Sequence, residues 1–377
     1  MKIACLLGPI SENAVEPTFE RFFTYFKSHK FDLIICGNFD NRVVDYIKSQ
    51  KKDINIEFLG QGIPNLLFHS PRLILKARSY DLLFTYGGHI PYGFLMHIIS
   101  KILKKRFICR VNSYPSNRKT LKINIKRKLE HHLLTKGDII IFNSKNQMRD
   151  ILSRNNIDFR PNYHVIAPGI NFKRFYKASP REVEILRAKY RLKRDEPILG
   201  VCITPRPGKG INILIEAAEI LHKKGRKFKV VIIGTSRYNS KYKEFINEKD
   251  LTNNFIWVGH QPNHQLYKWY SLFDITVLPS WGESFGMSIS ESYMCETPCV
   301  ASNVGGINDQ IIHNVTGFLV EPGNARKLSE YIDKMIINPE LRRLFAKRGK
   351  EYVKDKFDLN TVGEKYKELF DTINDKL

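Results

Sequence analysis

Residues 197–235, PILGVCITPRPGKGINILIEAAEILHKKGRKFKVVIIGT, decide the fold. A short apolar run (197–204) gives way to a loop of Pro, Arg, Gly and Lys (205–210), then to a stretch with apolar residues at helical spacing (211–225), then to a second apolar run (229–235). Strand, loop, helix, strand is the repeating unit of a parallel sheet covered by helices. Downstream, FIWVGH (255–260), ITVLPS (275–280) and CVASN (299–303) continue the alternation. Upstream, KIACLLG (2–8), FDLIICG (31–37), INIEFLG (54–60), YDLLFTYGG (80–88), RFICRVN (106–112) and DIIIFNS (138–144) form a separate series, and Phe19, Phe22, Phe23 and Phe26 mark a helix at i, i+3, i+4 and i+7. The expected fold class is α/β, with two Rossmann-like doubly wound domains facing across a cleft at the carboxyl ends of their strands, where ligands bind in such sheets. The expected boundaries are 1–170 and 171–355, with the amphipathic segment 356–377 packing back on the first domain.

At 377 residues the chain is long enough for two cores, and 42% hydrophobic with 26% charged residues is a globular composition. The opening MKIACLLGPI is broken by Gly8-Pro9 and reads as a strand, not as a signal peptide. No run reaches the ~18 to 20 apolar residues that span a bilayer. The six cysteines, Cys5, Cys36, Cys109, Cys202, Cys295 and Cys299, form no Cys-x-x-Cys pair and read as buried free thiols of a reducing compartment, so a cytoplasmic location is expected. The net charge of +23 points to an anionic partner. Between Lys101 and Lys136, twelve Lys/Arg face a single acid, Glu130, so this stretch alone carries +11.

The segment PSWGESFGMSISES (279–292) places Glu283 on a loop after a strand and Glu291 about a turn and a half into the next helix. Free N–H groups where that helix begins, around Ser284, Phe285, Gly286 and Met287, can hold a phosphate or a sugar hydroxyl, and Gly286 has no Cβ to keep a ligand away. A bare pair of glutamates would be read as solvated surface acids. The surroundings decide otherwise. This stretch resembles the signature of glycosyltransferase family four, retaining enzymes with the GT-B fold (glycosyl transferases group 1). The same order of motifs runs through YHVIAPGINFKRF (163–175), GKGINILIEAAEIL (208–221), KVVIIGT (229–235, with Gly234), FIWVGHQP (255–262), SLFDITVLPS (271–280) and CVASNVGGINDQIIHNVTGFLVEPGN (299–324).

The resemblance implies that Glu283 meets the donor hexose, Glu291 the ribose, and Lys209 the diphosphate. Where the family usually has Gly this chain has Ser284, and Thr204 stands where its arginine is usual, so Arg206 is the replacement cation or that contact is lost. Two loop cations could also be plain surface charges of a basic protein. Gly305-Gly306 offers a second turn at a strand end, with Asp309 where the family more often has Glu, while Thr316 and Gly317 serve equally well as a turn. In the first half Gly8 matches the family's phosphate-approaching loop, and either His89 or Asn112 stands near the reacting sugar.

The function implied is hexosyl transfer from a nucleoside-diphosphate sugar to a lipid-linked saccharide or other glycan or glycolipid precursor, with retention of configuration. No cofactor is expected, and without an Asp-x-Asp no metal on the diphosphate. In RKTLKINIKRKLEHHLL (118–134), Leu121, Ile125, Leu129 and His132 or Leu133 repeat at helical spacing under a basic surface, which suits peripheral attachment to an anionic membrane on its cytoplasmic face. The alternative of an ordinary helix with solvated charges stays open. Three rival readings are a nucleotide-sugar epimerase of the same fold, a catalytically dead binding module, and a nucleic-acid-binding protein. For the last, the pI near 9.7 stands without a helix-turn-helix, zinc or aromatic-basic signature, so nucleic acid is not the expected partner.

Overall fold

The computed structural model describes residues 1–7, 15–36, 41–50, 54–59, 70–86, 90–112 and 121–375. Two compact units divide the chain: Met1–Gly169 with Leu359–Leu377, and Ile170–Asp358. In the first, strands β1 (Lys2–Leu7), β2 (Lys30–Cys36), β3 (Ile56–Leu59), β4 (Leu82–Tyr86), β5 (Arg106–Val111), β6 (Ile139–Phe142) and β7 (Tyr163–Val165) alternate with helices α1 (Val15–Tyr25), α2 (Asn41–Gln50), α3 (Ser70–Ala77), α4 (Ile90–Ile102), α5 (Leu121–Lys136) and α6 (Lys145–Asn155). The second holds β8 (Ile198–Cys202), β9 (Lys229–Ile233), β10 (Phe255–Gly259), β11 (Ile275–Leu278), β12 (Cys299–Ser302) and β13 (Gly317–Val320). Its helices are α7 (Pro180–Lys189), α8 (Ile211–Lys223), α9 (Asn239–Asn247), α10 (Leu266–Leu272), α11 (Met287–Met294), α12 (Ala325–Ile336) and α13 (Pro339–Phe357). The chain then returns to the first unit as α14 (Leu359–Asn374), and α13 carries the second unit past Asp355 to Phe357.

Both sheets are parallel and doubly wound. Their strand orders are β3-β2-β1-β4-β5-β6-β7 and β10-β9-β8-β11-β12-β13. Central strands such as β4, β6, β11 and β12 are buried along their whole length, which is why they read as unbroken apolar runs without alternation. In each order the direction of winding reverses between two neighbouring strands, β1 and β4 in the first sheet and β8 and β11 in the second. In doubly wound sheets the carboxyl ends of the strands at such a reversal are where ligands bind. The loops after β8 and β11 carry the 205–210 and 279–286 segments.

Helix α14 is held by an aromatic face. Tyr366 stacks on Tyr25 (ring centroids 4.2 Å apart, 16° between planes) and Phe370 on Phe26 (5.1 Å, 23°), within one buried cluster that includes Phe19, Phe22 and Phe84. The phenylalanine periodicity of α1 therefore finds its partner more than 300 residues later in sequence.

Helix α5 departs from expectation. Of the expected apolar stripe, Leu133 is buried and Leu129 packs half-buried against the same core, joined by buried Glu130 and Leu134, whereas Ile125 is 53% exposed. Helical spacing identifies a stripe but not how far the supporting core extends beneath it, and here the core ends before the first described turns. The basic stretch is not uniformly a surface either: Arg110 on β5 is fully buried.

Replacing Phe370 (0% exposed, ringed by Phe26, Phe84 and His29) with Ala is expected to lower the stability of the first unit by ~3 to 5 kcal/mol, measured by urea unfolding. Phe159→Ala, at a 64% exposed ring, should change it by less than ~0.5 kcal/mol.

Candidate active site

In the second unit the switch between β8 and β11 brings two loops side by side. The Trp281 N–H donates to the Gly208 carbonyl at 3.0 Å, tying the 205–210 loop to the 279–286 loop. Across that seam the Lys209 ammonium donates to Glu283 Oε1, and the Ser280 hydroxyl donates to the same oxygen at 2.9 Å. The Lys209 and Glu283 side chains are only 16% and 11% exposed, so solvent and salt screen their attraction less than on an open surface. A cation and a carboxylate are thus held together at the carboxyl end of the sheet. The pair still reaches solvent.

Helix α11 begins at Met287, and Gly286 before it adopts φ +91°, a left-handed conformation that a side chain would strain. Six consecutive residues of this short helix, Ile289 to Met294, are buried, although three of them are Ser or Glu. Burial is tolerated because the polar atoms are met. Ser292 Oγ lies 2.6 Å from Thr276 Oγ1, the Tyr270 hydroxyl donates to Glu291 Oε2 at 2.7 Å, and Ser290 Oγ donates to Gln310 Oε1 at 2.5 Å. Burial first, then the neighbouring Cys202 and Glu291, hold the Tyr270 phenol well above its usual range, so it stays a donor to that carboxylate.

Gln310 was not singled out from sequence, yet it braces the whole turn. It is fully buried, and its Nε2 is within 2.5 Å of the Phe285 carbonyl, 3.2 Å of the Gly286 carbonyl and 3.3 Å of the Gly306 carbonyl, while its Oε1 accepts from the Ser290 N–H at 3.2 Å. One side-chain amide fixes the loop, the helix start and the 305–309 turn. Its only sequence signal was a position a few residues beyond the Gly-Gly pair. Gly306 completes the brace: its N–H donates to the Glu283 carbonyl at 3.0 Å, and a Cβ there would come within 2.4 Å of the Phe285 Cα.

The structure sorts the expected residues by position. Lys209, Glu283, Ser284, Phe285, Gly286, Met287, Gly305 and Gly306 gather around this one turn. The Phe285 ring, however, is 2% exposed and packs edge-on against Phe357 at 5.0 Å, so it anchors the loop and only its backbone is available to a ligand. Glu291 is buried, with its carboxylate held by Tyr270. Gly234 follows β9 directly, and its N–H donates to the Gly259 carbonyl at 2.8 Å. Thr204 and Arg206 are exposed, and Arg206 makes no ion pair among the described residues. Thr316 is 2% exposed with its Oγ1 accepting from the Ile312 N–H at 2.9 Å, which makes it a turn residue. Gly8 and His89 lie outside the described residues; Asn112, at the end of β5, accepts a hydrogen bond from Arg110 at 3.1 Å. Among the described residues no three His, Cys, Asp or Glu side chains gather closely enough to hold a metal ion.

Comparison with known proteins shows what the chain is similar to. Residues 182–352 match the family model described as glycosyl transferases group 1. The chain is 28% identical over 212 residues to the capsular polysaccharide biosynthesis glycosyltransferase CapM of Staphylococcus aureus, covering 54% of this chain and 53% of that protein. The chain spans about half the length of the curated relatives it matches. Among solved structures, Anabaena Alr3699/HepE in complex with UDP-glucose superposes with a TM-score of 0.83 at 19% identity, covering 99% of this chain and 100% of that one. A glycosyltransferase from Rickettsia africae superposes with a TM-score of 0.81 at 22% identity, covering 99% and 98%. The two-sheet architecture is that of the GT-B fold, and the unit that carries the Lys209–Glu283 turn is the one matched by the glycosyl transferases group 1 model.

Proposed function

We propose that the chain is a retaining, metal-independent hexosyltransferase of family four that uses a nucleoside-diphosphate sugar and delivers the hexose to a glycan or lipid-linked saccharide. The observation that carries this reading is the meeting of Lys209 with Glu283 at the braced start of α11. Support comes from HepE, solved with UDP-glucose, and from relatives named for polysaccharide and poly(ribitol-phosphate) glycosylation.

In this reading Lys209 turns from Glu283 to the diphosphate and offsets the negative charge that grows as the anomeric carbon–oxygen bond breaks. Exposed Arg206 is free to reach the same group. Glu283 accepts from hexose hydroxyls, the backbone N–H groups around Ser284 to Met287 hold the sugar or phosphate, and Glu291 fixes the ribose. The acceptor hydroxyl attacks from the leaving-group face. Its proton passes to the departing phosphate oxygen as the new glycosidic bond forms, so no separate base is required.

We further infer peripheral attachment to an anionic membrane on its cytoplasmic face through α5, where Ile125 is exposed beside exposed Lys126 and Lys128. No helix among the described residues is long and apolar enough to cross a membrane.

Lys209→Ala and Glu283→Ala should each lower kcat/KM for sugar transfer by about 100- to 1,000-fold, in assays that pair a panel of UDP-, GDP- and ADP-sugars with saccharide acceptors. Near-normal turnover in both would remove the site assignment. Gln310→Leu should leave buried carbonyls unpaired, with a loss of ~1 to 3 kcal/mol in unfolding free energy and a fall in turnover, since the turn loses its brace. Co-sedimentation with phosphatidylserine vesicles should weaken as salt is raised and on Lys126→Glu/Lys128→Glu; binding that ignores both salt and lipid charge excludes the membrane face.

A further inference from the structure

On the first unit, the turn from α4 into β5 borders an open cleft of about 500 Å³ lined by Ser100, Lys101, Lys104, Lys105, Arg106 and Asp138. Four of these six are cations and Asp138 is the one acid among them, which leaves a surplus of three positive charges. The carboxyl end of α4 meets the same turn, but a helix dipole supplies only about half a negative charge there, too little to account for so many cations. Asp138 does not offset the rest. Its Oδ1 accepts from the Lys101 ammonium at 2.6 Å and its Oδ2 from the Phe107 N–H at 3.0 Å, so both oxygens are engaged. Neither Lys104 nor Lys105 makes an ion pair among the described residues. Ser100 is fully buried with its hydroxyl donating to the His97 carbonyl at 2.6 Å, so the cations are what the cleft offers a ligand.

The backbone brings the lysines together. The Lys105 N–H donates to the Ser100 carbonyl at 2.8 Å and the Lys104 N–H to the Lys101 carbonyl at 3.3 Å, which closes α4 with Lys104 at φ +54°. Helices favour glycine at that left-handed position, and a lysine there costs stability that glycine or asparagine would save. A cation held against its backbone preference in a cleft already rich in cations points to ligand binding more than to folding.

Two features define the ligand. The surplus suits a group with more than one negative charge, and a phosphomonoester carries about −1.5 to −2 near pH 7 on oxygens that accept from ammonium and guanidinium donors. Near the end of α4, Ile98 and Ile102, one turn apart on the face that also bears Lys101, are 37% and 60% exposed. Exposed isoleucines beside a cationic cleft fit a lipid, with the headgroup in the cleft and the apolar side chains at the acyl boundary. The cleft lies at the amino end of β5, whereas such sheets take their substrates at the carboxyl ends of the strands.

We propose that the α4–β5 turn is a binding site for a terminal phosphomonoester on an anionic lipid headgroup, with Lys104, Lys105 and Arg106 as its donors. The proposal rests on the membrane attachment inferred above, to which it adds a headgroup preference, and it is independent of the sugar-nucleotide reading.

The test sediments the full chain with phosphatidylcholine vesicles that contain either phosphatidate or phosphatidylserine at matched surface charge, and titrates the chain with glycerol 3-phosphate by calorimetry. Lys104→Asn/Lys105→Gln removes two cations and places at φ +54° a residue that tolerates it, so thermal unfolding should show no loss of stability. Lys126→Gln/Lys128→Gln removes two cations from α5. The wild type should prefer phosphatidate about 5-fold or more, and Lys104→Asn/Lys105→Gln should lose roughly 10- to 30-fold on phosphatidate and with it the preference. Lys126→Gln/Lys128→Gln should weaken binding to both lipids alike and keep the preference. Equal binding of the two lipids by the wild type, or a preference that survives Lys104→Asn/Lys105→Gln, overturns the proposal and leaves a general charge attraction as the means of attachment. A chain that binds no vesicle loses both this proposal and the attachment on which it rests, and saturable binding of glycerol 3-phosphate in that case assigns the cleft to a soluble phosphate ester.

Discussion

The ion pair between Lys209 and Glu283 is the constraint around which the second unit is arranged. Each partner belongs to a different loop, and the loops meet only because β8 and β11 are neighbours at the point where the winding of the sheet reverses. In the function proposed above, the site needs a cation for the diphosphate and a carboxylate for sugar hydroxyls side by side, and the two loops supply one each. Pairing them with each other keeps both ordered and nearly neutral before a ligand arrives. A ligand that carries a diphosphate at one end and hydroxyls at the other can satisfy both groups at once, whereas a simple anion would leave Glu283 opposed by negative charge.

Around that pair, the strongest interactions are spent on backbone placement. Gln310, Gly306 and the buried serines of α11 fix the path of residues 283–290, so that the peptide N–H groups at the helix start are set in advance of binding. Preorganised donors of this kind lose little on binding, which is where electrostatic stabilisation of a developing charge gains its effect. Glu291 shows the same economy. It is tied to the Tyr270 hydroxyl, whose own ionisation burial suppresses, and so its orientation is set by α10.

Much of this was legible in the sequence because the informative residues sit where strands end. Unbroken apolar runs gave the two parallel sheets, and Lys209, Glu283 and Gly286 stood out as charged or glycine residues on the loops that follow β8 and β11. Three things were not legible, each for a physical reason. Gln310 acts through tertiary proximity to carbonyls more than 20 residues away, which no local pattern reports. Ile125 obeyed helical spacing, but periodicity carries no information on where the supporting core stops. Arg110 counted as one more cation in a basic stretch, since strand alternation alone does not reveal that its side chain is enclosed by Tyr86 and Tyr366. The phenylalanines of α1 announced a buried face and the amphipathic 356–377 segment announced a return to the first domain, but only the fold pairs the two.

The central claim is that a sugar nucleotide binds at the start of α11 against the paired loops. Hydrogen exchange read by mass spectrometry, with and without UDP, GDP and ADP and their sugars, tests it at the level of single segments. The account predicts that one nucleotide series slows exchange in residues 203–210, 279–291 and 305–310, more with the sugar attached than without. Protection confined to other segments, with these three unchanged at saturating ligand, would contradict it.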